Sequence, residues 1–269
     1  MARAGILTLT TDFGSDGPYV AAVKGVVLGL APGTQLVDVS HSICPQNILE
    51  GAFVLAAIAD SFPAGTVHLA VVDPGVGTDR RLIAARVGGL DQWFVLPDNG
   101  LLSGVLRNRT LDAAWEIANP AVRRQPRVSP TFHGRDILAP AACHLLLSRP
   151  PDDLGPRLNS VVTLRNFDPR GEDETLHVGE VIFRDAFGNL ITNIDSDRLK
   201  SAPADDWIVE IAGEMVRGIS VTYSDHPAGT LLALVGSSGW LEVAVANGDA
   251  ARLLAAGPGT SVWVKQKHQ

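Results

Sequence analysis

Four residues in the first half of the sequence have side chains suited to binding a charged ligand or moving a proton. Asp73 and Arg80 share one glycine-rich stretch, Asp12 lies near the N-terminus, and His133 lies further along. A carboxylate beside a guanidinium provides fixed charge, and an imidazole exchanges protons near neutral pH. These residues also have simpler interpretations. Asp73 and Arg80 could form an ion pair on the surface, Asp12 could cap a helix, and His133 could be a packing or capping residue. They predict a site if the fold gathers them.

The sequence pattern around these residues predicts that the fold brings them close together. A β-branched and apolar segment, residues 5–11, ends at Asp12, and the apolar run 67–72 predicts a buried strand that ends at Asp73. Helical patterns alternate with these strands, so residues 1–155 predict an α/β domain with a mainly parallel, layered sheet. Ligands of such sheets bind where the strands end. We therefore expect a site at this edge.

The rest of the chain has a different pattern. Residues 156–173 are polar and proline-rich and predict a linker, whereas the short strand patterns in residues 174–269 predict a smaller all-β, barrel-like domain. One of the strands expected there covers residues 218–223. Two polar segments, 185–189 and 236–239, are typical of hairpin turns or loops but also suit a polar ligand. Periodicity leaves both interpretations open.

Composition excludes several classes of function. The chain has 269 residues and a formal net charge of −7, which disfavours nucleic acid as a partner. No apolar run approaches the ~18 residues of a membrane span, and the N-terminus lacks a secretory signal, so we expect a cytoplasmic protein with no membrane partner. Two cysteines are too few for a disulfide framework. No metal-binding or nucleotide-binding motif is present, so no metal or cofactor is predicted.

Seven blocks of the sequence resemble, in order and spacing, the S-adenosylmethionine (SAM) hydroxide adenosyltransferases. The blocks are TLTTDFGSDGPYVAAVKGV, VDVSHSICPQNILEGAFVL, FPAGTVHLAVVDPGVGTDRR, PDNGLLS, TFHGRDILAPAA, DAFGNLITNI and GSSGWLEVAVANGDAA. This family is related to fluorinating and chlorinating enzymes that use the same substrate. The resemblance implies an N-terminal α/β domain, a C-terminal β domain, and a homotrimer with active sites between one subunit's N-terminal domain and its neighbour's C-terminal domain.

The resemblance also implies roles for individual residues. The water-activating set of the family falls on Asp73, Arg80 and His133, and its ribose-binding acid on Asp12. The implied contacts to the methionine and adenine parts of the substrate fall on Asp185, Asn189, Ser237, Ser238 and the stretch from Val245 to Asn247. Of these contacts, the adenine pocket carries the weakest sequence signal. The implied reaction is hydrolysis of SAM to adenosine and L-methionine, with SAM as substrate and without a cofactor.

Two alternatives to hydrolysis remain at this stage. A SAM-dependent halogenase would use chloride or fluoride as the nucleophile, but halogenating relatives carry a tyrosine where this chain has Asp73. Gly134 stands where fluorinating enzymes carry a serine, although chlorinating ones can have glycine. A non-catalytic sensor of SAM or adenosine would have no need of Asp73, Arg80 and His133 together. Arg80 beside Asp73 makes that acid a poor base, so we expect His133 to accept the proton.

Overall fold

The computed structural model describes residues 5–125, 127–165, 167–173 and 175–267. Within these ranges the chain forms two compact units, with the boundary between Leu164 and Arg165. The segment predicted as a linker, 156–173, includes one short strand in the sheet of each unit. Residue 174, the predicted start of the C-terminal domain, lies outside the described residues. In the described part of the chain, no helix is long and apolar enough to cross a membrane.

The first unit has seven strands and four α-helices among its described residues. They are β1 (Ile6–Thr11), α1 (Tyr19–Leu30), β2 (Gln35–Ser40), α2 (Ile48–Ala59), β3 (Val67–Val71), β4 (Leu82–Val87), β5 (Trp93–Pro97), α3 (Ser103–Leu106), β6 (Leu111–Glu116), α4 (Ala139–Leu146) and β7 (Arg157–Leu158). A π-helical turn, Gly134–Leu138, leads directly into α4. The alternation of strands and helices confirms the predicted α/β class.

The sheet of this unit is mixed, with the strand order β2-β1-β3-β5-β4-β6-β7. Strands β2, β1, β3 and β5 are parallel, and β4, β6 and β7 run antiparallel to their neighbours. The parallel arrangement therefore covers only part of the sheet, because the connection of residues 88–92 is too short for a parallel crossover from β4 to β5. In the centre, Thr11 of β1 pairs with Val71 of β3, so both strands end at the same edge.

Two apolar cores cover the faces of this sheet. One contains residues of α1 and α4, and the other contains residues of α2 and α3. Strand β3 contributes to both, because Leu69 and Val71 lie in the first core while Ala70 and the following Val72 lie in the second. Burial on both faces explains the uninterrupted apolar run that precedes Asp73. Each large apolar side chain buried there stabilises the unit by about 1.5–3 kcal/mol.

The second unit is an antiparallel, nearly closed barrel. Its elements are β8 (Arg170–Asp173), β9 (Leu176–Arg184), β10 (Leu190–Asp195), β11 (Trp207–Ile211), β12 (Glu214–Arg217), β13 (Leu231–Val235), β14 (Trp240–Val245), α5 (Ala250–Leu254) and β15 (Ser261–Gln266). The strand order is β12-β11-β15-β9-β10-β14-β13, with β8 beside β9. A single bridge from Ser220 to Leu234 brings the chain after β12 towards β13, at the other end of that order. The predicted all-β class is confirmed.

The prediction of a strand over residues 218–223 is wrong. Only the bridge at Ser220 pairs with a strand, and a 3₁₀ turn begins at Tyr223. The backbone N–H groups of Val221 and Thr222 donate to the Asp225 carboxylate at 3.0 and 2.9 Å. These bonds turn the chain and leave Val221 90% exposed. Alternating apolar residues therefore do not form a strand where a nearby aspartate satisfies the backbone donors.

Candidate active site

The glycine-rich loop after β3 brings Arg80 back to Asp73. Gly77, in the middle of this loop, has a φ of 85°. A Cβ atom there would lie 2.7 Å from the carbonyl oxygen of Pro130. Glycine suits this position because it adopts positive φ without strain and allows the close approach. The loop that carries Asp73 is therefore packed against the segment that leads to His133.

Arg80 and Asp73 form a buried, two-pronged ion pair. Nε of Arg80 donates to Oδ1 of Asp73 at 2.5 Å, and Nη2 donates to Oδ2. The two side chains are 11% and 5% exposed, respectively. Solvent screens such a pair much less than a surface pair, and the fork geometry fixes both groups. The simpler interpretation, an ion pair on the surface, does not describe this arrangement.

Arg80 also contacts His133, which lies immediately before the π-helical turn. Nη1 and Nη2 of Arg80 each lie 3.3 Å from Nδ1 of His133. A guanidinium can only donate, so Nδ1 accepts and the proton of the neutral ring lies on Nε2. The guanidinium thus bridges the carboxylate and the imidazole. π-Helical turns are frequent at functional sites, where the extra residue changes the direction of nearby side chains.

The surroundings of His133 favour its neutral form. Burial, followed by the positive charge of Arg80, holds the pKa of this imidazole below its ordinary value of 6.5. Arg123 acts in the same direction, whereas Asp73 and Asp136 act against it. The net direction means that the ring is neutral at neutral pH, with the lone pair of Nδ1 unprotonated. A lone pair is required of a group that is to accept a proton.

Arg135 and Asp136, which the sequence groups with His133, pair with each other. The Asp136 side chain is fully buried and accepts from Nε and Nη2 of Arg135 at 2.7 and 2.8 Å and from the backbone of Ser129 at 2.9 Å. The Arg135 side chain is the largest cause that lowers the pKa of Asp136, so this carboxylate stays charged. These contacts fix the segment on both sides of His133.

Asp12 follows β1 and does not cap the next helix. Its Oδ2 accepts from the backbone N–H of Gln46 at 2.8 Å, whereas α1 has no side-chain cap. Among the described residues, no group donates a hydrogen bond to its Oδ1. Next to Asp12, the ring of Phe13 meets the ring of Phe132 edge to face, with the centroids 5.9 Å apart. The loop of Asp12 therefore packs against the segment that carries His133.

A cavity of about 900 Å³ lies within the second unit. The residues predicted from the resemblance that line it are Asp185, Asn189, Ser237, Val245 and Asn247. Ser238 is exposed and is not part of this lining. The structure thus brings five of the six substrate-binding candidates of this unit to one cavity. Their individual roles stay a prediction.

Asp185 also has a structural role in its turn. Its Oδ1 accepts from the backbone N–H groups of Phe187 and Asn189 at 2.9 and 2.8 Å, and its Oδ2 accepts from the Asn189 side chain at 2.9 Å. This turn joins β9 and β10. The hairpin-turn interpretation of the segment 185–189 is therefore confirmed. The Asp185 carboxylate also lines the cavity, and its role in binding a ligand stays a prediction.

The polar residues of this cavity that sequence reasoning missed include a hydrogen-bonded pair, Tyr223 and Glu242. The Tyr223 hydroxyl donates to Oε1 of Glu242, which is buried on β14. Burial, aided by the charge of Asp185, raises the pKa of Glu242 despite the bond from Tyr223, and burial together with Glu242 raises the pKa of Tyr223. The available signal was an acidic residue inside the apolar strand sequence WLEVAV, since a buried carboxylate requires a partner.

In the described ranges, no group of three or more His, Cys, Asp or Glu side chains is arranged to hold a metal ion. The two histidines near the Asp12 loop and the Asp73 loop have other contacts: His41 with Thr11 and Asp38, and His133 with Arg80.

Comparison with known proteins gives consistent matches along the chain. The family descriptions "SAM hydroxide adenosyltransferase N-terminal domain" and "SAM hydroxide adenosyltransferase C-terminal domain" match residues 7–155 and 179–263. An (R)-S-adenosyl-L-methionine hydrolase of Thermus thermophilus is 40% identical, over 91% of this chain and 93% of its own. Another, of Salinispora arenicola, is also 40% identical, over 98% and 99%.

More distant relatives and a solved structure agree with these matches. A fluorinase of Actinoplanes is 30% identical over 73% of this chain and 74% of its own. The structure of an uncharacterized conserved protein from Thermotoga maritima superimposes with a TM-score of 0.88 at 37% identity, covering 97% of this chain and all of that one. Both halves of the chain and its overall length thus match one group of proteins. The chain belongs to the SAM hydroxide adenosyltransferase family.

Proposed function

We propose that this protein hydrolyses SAM to adenosine and L-methionine. The observation that carries the proposal is the contact of Arg80 with both Asp73 and His133 at the edge where β3 ends. In the proposed reaction, the C5′–S bond breaks and its electron pair goes to the sulfonium sulfur. A water oxygen bonds to C5′, and one proton is released. The positive charge of the substrate thus leaves as that proton.

The proposed base is His133, acting through Nδ1. The 3.3 Å contacts from Arg80 are longer than the roughly 2.7–2.9 Å of strong charge-assisted bonds, so a water molecule can replace them. That water would give its proton to Nδ1 while the guanidinium stabilises the hydroxide that forms. Asp73 keeps the guanidinium in place by accepting two hydrogen bonds from it. Its carboxylate oxygens are already used by Arg80, which makes Asp73 the poorer base.

Proton transfer explains only part of the rate. General-base assistance contributes about 10² to 10⁴ in rate. Alignment of water, C5′ and sulfur supplies more, because well-oriented reactions reach effective molarities of about 10⁵ M or higher. Hydroxide attack on a sulfonium also neutralises charge, which a water-poor site favours. Exact positioning of the ribose is therefore central to the proposal.

The proposed substrate contacts come from both units. Oδ1 of Asp12, which has no donor among the described residues, accepts from the ribose hydroxyls. The proposed contacts to the rest of the substrate are Asp185, Asn189, Ser237 and Ser238 for the methionine part, and Val245 and Asn247 for adenine. The cavity of the second unit supports this assignment because five of these six residues line it. SAM is the substrate, and no cofactor is proposed.

We further propose a homotrimer in which each active site combines the N-terminal domain of one subunit with the C-terminal domain of its neighbour. Mixing two inactive variants tests this arrangement. After co-refolding of Asp73→Asn with Asp185→Ala, about a quarter of the sites in random trimers would contain two intact halves. Activity should therefore return on mixing. No recovery in trimers shown to contain both variants would contradict sites shared in this way.

Product analysis tests the proposed reaction. Purified protein incubated with SAM should yield adenosine and methionine in equal amounts, and added chloride or fluoride should not change the products. His133→Ala should lower kcat by about 10² to 10⁴ with little change in KM, because the base acts in the transition state. A 5′-halogenated nucleoside as the main product would replace hydrolysis by halogenation. An unchanged kcat in His133→Ala would remove the base assignment.

A further inference from the structure

A set of polar contacts that the proposed reaction does not use links His41 to both sides of Asp12. The Nδ1 atom of His41 lies 2.8 Å from the hydroxyl of Thr11, the residue before Asp12. The backbone carbonyl of His41 accepts from the N–H of Gly14, two residues after Asp12, at 2.8 Å. His41, which directly follows β2, thus holds the loop on each side of the carboxylate.

The other edge of the His41 ring faces a charged pair. Nε2 lies 3.0 Å from Oδ1 of Asp38, whose Oδ2 accepts from Nζ of Lys24 at 2.6 Å. Burial acts to raise the pKa of Asp38, but the nearby Lys24 and His41 side chains outweigh it and lower that pKa, so the carboxylate stays ionised. A negative charge at this edge favours a proton on Nε2. Nδ1 of His41 then accepts a hydrogen bond from the Thr11 hydroxyl.

The Thr11 hydroxyl completes the connection. Thr11 is 2% exposed, and its oxygen also accepts from the backbone N–H of Phe13 at 3.3 Å. The hydroxyl therefore has both a donor and an acceptor within the protein, and its orientation is determined by His41. On the far side, the backbone N–H of Gln46 holds Oδ2 of Asp12. Four contacts thus fix the loop while Oδ1 of Asp12 stays available.

We infer that His41 is a positioning residue that, through Thr11, holds the Asp12 carboxylate ready for a ligand with two neighbouring hydroxyls. This inference rests on the proposed role of Asp12 in binding the ribose. His41 itself touches no substrate atom in this account. The contact that matters is the one from Nδ1 to Thr11, whereas Asp38 and Lys24 set the tautomer that makes Nδ1 an acceptor.

Two matched pairs of variants separate this role from a general loss of structure. Thr11→Val removes the hydroxyl at nearly constant shape, and Thr11→Ser keeps it. The amide of asparagine in His41→Asn reaches the place of Nδ1, and that of glutamine in His41→Gln reaches the place of Nε2. Thus His41→Asn keeps the partner of Thr11, and His41→Gln keeps only the partner of Asp38.

The measurement is calorimetric binding of adenosine and of 2′,3′-dideoxyadenosine, which lacks the 2′- and 3′-hydroxyls of the ribose. The ratio of the two affinities reports the hydroxyl contacts alone. The wild-type protein should prefer adenosine by about tenfold or more, since hydrogen bonds to a charged group are lost with the dideoxy compound. Thr11→Val and His41→Gln should bring the ratio close to one, with the affinity for the dideoxy compound unchanged. Thr11→Ser and His41→Asn should keep most of the preference.

Different results overturn different claims. If folded Thr11→Val keeps the wild-type ratio, or if His41→Gln and His41→Asn have the same ratio, the inference is wrong while the proposed function stands. If Thr11→Val does not fold, the two His41 variants decide by the same comparison. If the wild-type protein binds neither nucleoside, the proposed function fails and the inference fails with it.

Discussion

Replacing Arg80 by methionine should destabilise the first unit strongly, because it removes one half of a buried pair. The Asp73 side chain, 5% exposed, would remain buried without the two donors that it now has. Breaking a buried ion pair in this way costs about 3–5 kcal/mol, compared with about 0–1 kcal/mol for a surface pair. The side chains of this pair are only 11% and 5% exposed, so we expect the larger cost, that of a buried pair.

A second substitution separates the charge from the packing. In the double variant Arg80→Met with Asp73→Asn, neither side chain of this pair is charged, so at least about 1–2 kcal/mol of the lost stability should return. Turnover should not return, because the guanidinium proposed to stabilise hydroxide is still absent. Recovered stability without recovered activity is expected only if the pair both stabilises the fold and takes part in the reaction.

Urea unfolding, monitored by the hydrogen exchange of individual segments, measures these effects. The amides of β3 and β5 report the first unit, and those of β10 and β14 report the second as an internal control. A loss below about 1 kcal/mol in Arg80→Met would mean that the pair behaves as a solvated surface pair. That result would refute the reasoning from burial.

Three further predictions concern other residues. The His133 imidazole should titrate below 6.5 by NMR, and its pKa should rise in Arg80→Met, since Arg80 is one cause of the lowering; no change would contradict this cause. Burial lowers the pKa of His68 to about 4, so the unfolded chain binds more protons below pH 6.5. About 3 kcal/mol of unfolding free energy should therefore be lost as the pH falls from 6.5 to about 4, and His68→Gln should lack this component of the pH dependence. Gly77→Ala should lose more stability than Gly89→Ala, because both have positive φ but only Gly77 has a carbonyl oxygen 2.7 Å from the added Cβ; equal losses in thermal unfolding would contradict the close approach.

The sequence indicated those parts of the site that depend on local pattern. Asp73 and Arg80 share one glycine-rich loop, so a turn that returns the guanidinium to the carboxylate could be expected, and the structure places them in contact. The end of a buried strand at Asp73 followed from the apolar run alone. The catalytic roles of these residues stay a prediction.

Other parts depend on tertiary contacts that no local pattern records. The contact of Arg80 with His133 joins residues 53 positions apart. The strand and helix pattern predicted that both lie at one edge of the sheet, but not that they touch. The direction of β4 was not evident either, because a strand pattern does not reveal which neighbour it pairs with. Glu242 was missed because its strand satisfies the apolar pattern around it, and the hydroxyl of Tyr223 that accompanies it comes from a segment wrongly predicted as a strand.

The most direct test of the central claim is to follow the oxygen atom. When the protein acts on SAM in water enriched in heavy oxygen, mass spectrometry should find one labelled oxygen in the 5′-hydroxyl of adenosine and none in methionine. Asp73→Asn, Arg80→Met and His133→Ala should each slow this incorporation. Label in homoserine or methanol instead would show attack at another carbon of the sulfonium, and would contradict a water held by these three residues and directed at C5′.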